Sequence, residues 1–262
     1  AMKHSIRISD ISQWLPAITK IITADFSAND EVQIDFKEIP YEQFTPIHIS
    51  SIACVKCFLE KRGIKCSCQH VPRPTLSISK GFNLWQLDKA YLETYSHNIC
   101  RILKQSFYPD KDLSAVKGCL NEALYNVFDH AEAKDIAFIC LSLDPITDRL
   151  CVAVCDLGLG IAKKIRSHFP EILNDTKAVA MAVENSFTTK SRKHNRGYGL
   201  DNILSCCNDD DTFKIISNGA SYIAVNDKIS TFALDYEFPG TLLYFEISIY
   251  MLPEDEDIFE EI

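Results

Sequence analysis

The chain has 262 residues, of which 47% are hydrophobic and 24% charged, with 27 basic against 36 acidic side chains and a formal net charge of −9. That composition is a globular protein's, with material for one large or two modest domains, and the acidic balance speaks against sequence-independent binding to nucleic acid, which needs a basic face. No apolar run is long enough to span a membrane and no charged-then-apolar leader opens the chain. Eleven cysteines then fit reduced thiols better than a disulfide framework, so a soluble cytoplasmic protein is expected.

Residues 1–88 read as a small α/β module. Val32-Gln-Ile-Asp-Phe36 alternates like a strand. Pro46 opens a helical pattern through Ile49, Ile52, Ala53, Cys57 and Phe58 that stops at Arg62-Gly63, and Ile64-Lys-Cys-Ser-Cys68 is again strand-like. Strand, helix and strand with short connections make a βαβ unit. The order resembles the STAS-type modules of bacterial anti-anti-sigma factors. Their Asp-Ser-x-Gly phosphorylation motif is replaced here by Gln43-Phe-Thr-Pro46, so the resemblance implies the fold alone. Cys54 and Cys57, then Cys66 and Cys68 with His70, are residue types that bind zinc. The first pair falls in the apolar helix and the second alternates along a strand, which small buried thiols explain.

Leu84 to Leu103 has a helical period and leads into the second part, residues 89–252. Ser96-His97-Asn98 lies within it without the Arg-Thr-Pro continuation of a phosphoacceptor histidine, so a solvent-facing or capping His97 is expected.

The most informative stretch is Asn121-Glu-Ala-Leu-Tyr-Asn-Val-Phe-Asp-His-Ala131. Leu120, Leu124, Val127 and Phe128 fall on one helical face, while Glu122 and Asn126, four apart, share another, with Asp129 and His130 a turn further on. A carboxylate beside an amide suits a hard cation and a water: the amide oxygen can ligate Mg²⁺ and the carboxylate can take a proton. An ordinary amphipathic helix with a polar side has the same spacing.

Downstream, Ile136 to Leu143 and Leu150 to Cys155 are apolar strands around a turn-rich connection. The second runs into Asp156-Leu-Gly-Leu-Gly-Ile161, where a carboxylate can accept from an exocyclic amine such as adenine's and two glycines admit a ligand to the backbone. Residues 161–196 form an insertion with helices at Ala162 to His168 and Thr176 to Glu184, then Phe187-Thr-Thr-Lys190 and a polar basic run, the composition of a lid. Arg196-Gly-Tyr-Gly-Leu200 leads into a helix whose first amides could hold phosphates. Phe213 to Val225 reads as a hairpin around Asn218-Gly219, Pro239 to Ser248 as a closing strand, and residues 253–262 as a solvated acidic tail.

Glu-x-x-x-Asn on a helix, Asp-x-Gly-x-Gly after a strand, a Thr-Thr-Lys lid, Gly-x-Gly before a helix and Gly-Thr at the last strand together resemble the Bergerat-fold ATP-binding domain. Gyrase, heat-shock chaperones, mismatch-repair ATPases, sensor histidine kinases and anti-sigma kinases share it. The resemblance covers about residues 110–250 and implies an α/β sandwich, of the two-layer α+β type, that binds Mg·ATP between helices and lid. It implies Asn126 as the Mg²⁺ ligand, Asp156 as reader of the adenine amine, Gly158 and Gly160 along the base, and Thr241 supporting adenine or its water. Thr189, Lys190, Gly197, Gly199 and Leu200 would wrap the triphosphate, with Asp129, His130, Ile161, Thr188, Arg196 and Tyr198 completing the nucleotide site.

Glu122 takes the position of the general base, which activates water in the ATPases and a serine hydroxyl in the anti-sigma kinases; sensor histidine kinases place Asn there. The helix, including His130, looks closest to the anti-sigma serine kinases, and the lid to sensor-kinase and stand-alone ATPase lids. The expectation is a regulatory ATPase or protein-serine kinase with a protein partner of the sigma-factor or anti-anti-sigma type, and a homodimer among its assembly options. The alternative is a nucleotide-gated interaction switch without significant turnover.

Overall fold

Two sheets separated by a layer of helix organise the residues that the computed structural model describes, namely 1–78, 81–129, 136–144, 146–184 and 199–255. The first sheet is parallel, in the order β1 (Lys3–Arg7), β2 (Glu31–Asp35), β3 (Lys65–Gln69). Its crossovers are the helices α1 (Trp14–Thr23) and α2 (Pro46–Lys61). Right-handed crossovers stepping one way across a sheet put both helices on the same face. Accordingly Val32, Ile34 and Cys66 are buried in one cluster with Trp14, Ile18, Ile49 and Leu59, while Lys3, Ser5, Arg7, Lys65, Ser67 and Gln69 are exposed on the far side.

The expected strand-helix-strand over 32–68 is thus β2-α2-β3. Thr45 and His48 cap α2 reciprocally, the Thr45 N–H donating to His48 Nδ1 at 3.0 Å, and Gly63 at φ 76° ends it in the left-handed region that favours glycine. β1 and α1 were not expected, because Lys-His-Ser-Ile-Arg carries one aliphatic residue and its alternation is weak.

The second sheet is antiparallel throughout, in the order β4 (Asn83–Gln86), β5 (Ala137–Asp144), β6 (Arg149–Asp156), β8 (Lys228–Ser248), β7 (Phe213–Val225). One face carries α3 (Leu92–Ser106), α4 (Ser114–Asp129), α5 (Ile161–His168), α6 (Asp175–Glu184) and α7 (Leu200–Cys206). The other face is covered by α1 and α2, which therefore pack between the two sheets. Strands buried on both faces read as continuous apolar runs rather than alternating ones. In β6, Leu150, Val152 and Val154 join the α3–α7 side while Cys151, Ala153 and Cys155 join the α1–α2 side. Across that second seam the Cys54 thiol of α2 donates to the Cys155 carbonyl at 3.2 Å. The architecture is mixed α/β, and among the described residues no helix is long and apolar enough to cross a membrane.

Three expectations are corrected. Leu84 to Leu103 is not one helix: Asn83–Gln86 is an edge strand of the second sheet, and the Asp88 side chain, accepting from the Ala90 N–H at 2.9 Å, ends it before α3 begins. Within α3, His97 is exposed, as expected. Phe213 to Val225 is not a hairpin but one strand with a bulge at Asn218-Gly219; the reversal comes at Asn226-Asp227, both at positive φ as a two-residue type I′ turn requires. Finally, the expected lid helices exist within a residue of their predicted ends, but Ile161, Ala162, Ile165, Ala178, Val179 and Val183 are core residues. Residues 161–184 are therefore packed framework, and the rest of the expected lid, 185–196, lies outside the described residues.

Candidate nucleotide site

Strand register builds one end of the site. Residues of even number in β6, and of odd number in β8 and in β7 before its bulge, face the α3–α7 side. At the end of the sheet this parity delivers Asp156, Thr241 and Ser217, paired Asp156↔Thr241 and Ser217↔Thr241 across neighbouring strands. A polar row thus closes an otherwise apolar face.

Opposite it runs α4. Val116, Cys119, Leu120, Ala123, Leu124 and Val127 are its buried stripe, at spacings of three and four. Ala123, small and fully buried, lets the helix approach the sheet closely. Asn126 is 8% exposed, and its Nδ2 donates to both the Glu122 carbonyl and Glu122 Oε1, each at 2.8 Å. The predicted shared face of Glu122 and Asn126 is thus a direct contact, and it fixes the amide orientation: Oδ1 takes no hydrogen bond from the described residues. Ala123, Asn126, Val127, Val154, Asp156, Ile161, Thr241 and Leu243 line a narrow cleft with room for about one water before it opens to solvent.

Asp156 is the chemically exceptional group. It is 0% exposed; Oδ1 accepts from the Gly158 N–H at 2.8 Å, and Oδ2 has no partner among the described residues. Burial pushes its carboxyl up to about 7, against the opposing backbone N–H groups of Gly158 and Thr241. A buried oxygen left unmatched costs on the order of 1–3 kcal/mol, so a donor reaching it would be rewarded.

Thr241 does something the sequence did not indicate. Its Oγ1 accepts from the Ile161 N–H at 3.0 Å; Ser217 Oγ accepts from the Ala162 N–H at 3.3 Å, and Asn218 Oδ1 from the Lys163 N–H at 3.0 Å. Together they cap the start of α5, whose first amides would otherwise be unpaired. Asn218 Nδ2 also donates to the Leu159 carbonyl at 3.1 Å. Gly160, at φ 89°, is required at this joint, since a Cβ there would stand 2.4 Å from Asn218 Oδ1. Ser217 and Asn218 were missed because Asn-Gly was taken for a turn; the signal available was a polar Ser-Asn pair interrupting an apolar strand.

α7 begins differently. Gly199 precedes Leu200 in extended backbone, and the helix packs against α4. The structure therefore brings Asn126, Asp156, Ile161 and Thr241 onto one cleft, with Glu122 bonded to Asn126, Gly158 bonded to Asp156, Gly160 at the start of α5, and Gly199 and Leu200 on the element next to α4. His130, Thr188, Thr189, Lys190, Arg196, Gly197 and Tyr198, together with the side chain of Asp129, lie outside the described residues. No group of three or more His, Cys, Asp or Glu side chains is placed to hold a metal among the described residues. Cys54 is buried in α2 with its thiol committed to Cys155, and His70 Nδ1 pairs with Asp35 Oδ1 at 2.7 Å. In sequence comparison, no protein-family model and no curated protein matches the chain.

Proposed function

We propose that the chain is a regulatory Mg·ATP-binding protein of the Bergerat type, with ATPase or protein-serine kinase activity, acting in anti-sigma-kinase-like signalling. The observation that carries this reading is Asp156: a fully buried carboxylate with one oxygen unpartnered, facing a cleft shared with Asn126 and Thr241. An exocyclic amine would supply the missing donor, and an N–H donated to the ionised form draws the carboxyl back down from about 7. Adenine has such an amine where guanine has a carbonyl oxygen, so the site would select ATP over GTP.

Asn126 fits a cation site in one respect. Its nitrogen is committed to Glu122, which leaves the oxygen, the atom a hard cation takes. Bound Mg²⁺ would offset the negative charge of the phosphates, with most of its ligands coming from phosphate and water oxygens. Glu122, held by the Asn126 amide, is the group that would take a proton from an attacking water or serine hydroxyl. Gly199 and Leu200 at the start of α7 would meet the phosphates. The partner in this reading is a protein of the sigma-factor or anti-anti-sigma type, and the chain is cytoplasmic.

One observation favours the switch as a second reading. Helix α2 of the first sheet is bonded to Cys155, the residue next to Asp156, so nucleotide at Asp156 and a partner on the N-terminal unit would bias the same strand.

Calorimetric titration with Mg·ATP and Mg·GTP, followed by phosphate release from the same sample, tests the proposal. ATP-selective binding that Asn126→Ala abolishes, and turnover that Glu122→Ala abolishes without loss of binding, is the expected result. Selective binding without release to water moves the weight to kinase or switch. Equal affinity for both nucleotides, or an Asn126 variant that binds normally, would overturn the site as described.

A further inference from the structure

A second reactive locus lies further back along α4, where it meets α7. Cys119, one turn before Glu122 and 2% exposed, has its thiol in hydrogen-bond contact with that of Cys206 near the end of α7. Cys206 is half-buried, so small solutes in water can meet it, whereas Cys119 is buried. Cys207, next in the chain, is turned aside, its thiol donating to the Ile203 carbonyl at 3.4 Å. All three are free thiols.

We propose that this pair is a peroxide-reactive modification site, in which Cys206 is attacked first and Cys119 resolves it into an intramolecular disulfide. The Cys206 thiolate displaces hydroxide from hydrogen peroxide: an S–O bond forms, the O–O bond breaks, sulfur is oxidised by two electrons and the hydroxide leaves as water. The Cys119 sulfur, giving up its proton, then attacks the Cys206 sulfenic acid; the S–S bond forms and the second oxygen leaves as water. Two thiols and one peroxide become one disulfide and two waters.

The surroundings select this pair. The hydrogen bond from Cys119, assisted by Ser205, holds the Cys206 thiol down to about 7, so about half is thiolate at neutral pH. Burial pushes Cys100 and Cys151 up to about 11 and Cys207 to about 12. The rival is the Cys66–Cys68 contact on β3, where Cys66 is also lowered by its neighbour, but that thiol is buried under α2. The product would tether the end of α7 to α4 a single turn from Glu122.

The test treats the full chain, reduced and freed of reductant, with one equivalent of hydrogen peroxide at neutral pH, and follows free thiols and disulfide-linked peptides by mass spectrometry. The expected result is loss of two of the eleven thiols, a 119–206 linked peptide, and reversal by dithiothreitol. Cys206→Ser should slow the loss about tenfold, as expected when the more accessible of the lowered thiols is removed. Cys119→Ser, whose hydroxyl keeps a donor at that place, should still consume peroxide but leave a sulfenic acid at residue 206 that dimedone traps. A first product joining Cys66 to Cys68, or an unchanged rate in Cys206→Ser with the fold intact by circular dichroism, would overturn the proposal. Should Cys206→Ser fail to fold, the trapped adduct in Cys119→Ser decides alone: its presence at 206 supports the assignment and its absence ends it.

Discussion

Gly160 and Gly199 each stand immediately before a helix, and in the sequence they look alike. In the structure they are opposites. At Gly160 the helix start is closed: the first three N–H groups of α5 are taken by Thr241, Ser217 and Asn218, the backbone is left-handed, and a side chain would collide with Asn218. At Gly199 the backbone is extended, with φ −116°. A glycine ahead of a helix can thus be a strained, capped joint or ordinary extended backbone, and only the partners of the following amides tell which.

The comparison can be broken or sharpened by substitution. The largest effect is expected at Gly160→Ala, where a collision adds to a strained φ and stability should fall by more than about 3 kcal/mol. A wild-type urea midpoint for that variant would mean the joint is not what holds α5.

Asp156→Asn should act in the other direction. Raising the carboxyl from 3.8 to about 7 makes ionisation oppose folding by about 4 kcal/mol. The folded pKa lies above the unfolded one, so the benefit is complete below about pH 4 and is lost as pH rises through about 7. The amide avoids that loss but leaves its own donor to satisfy, so a net gain of roughly 1–3 kcal/mol is expected at pH 8. The gain should shrink toward pH 5 and be accompanied by weakened adenine binding. Denaturation curves giving the same difference at both pH values would remove the ionisation argument.

Asn218→Ala removes one cap and the bond to Leu159, and should cost about 1–2 kcal/mol with little change in nucleotide affinity. Gly199→Ala is the smallest perturbation of stability, within about 1 kcal/mol, because an extended φ accepts alanine. Its effect should fall on binding instead. If Gly160→Ala and Gly199→Ala destabilise equally, the two helix starts are not the contrasting pair described.

Legibility followed the periodicities. α2, α4, α5 and α6 were readable because their apolar residues recur every three or four positions and because Gly63 punctuates the first of them. The contact between Glu122 and Asn126 was readable for the same reason, since four residues along a helix is a fixed geometry. β1 and β4 were not, being a polar strand and a four-residue edge whose Leu-Trp fits a helix as well. The caps Ser217, Asn218 and Thr241 were invisible because their function depends on which strands lie side by side, and the β6-β8-β7 order is a long-range fact. The unpartnered oxygen of Asp156 was likewise beyond the sequence: the residue could be singled out, its burial could not.

The cover that α1 and α2 provide for the second sheet has a consequence for synthesis. The side of α2 that meets β5 and β6 has nothing to rest against until residues up to Asp156 have emerged, and the side of α1 that meets β8 must wait for residues up to Ser248. Over that stretch of translation the nascent chain must therefore carry an unsatisfied apolar surface.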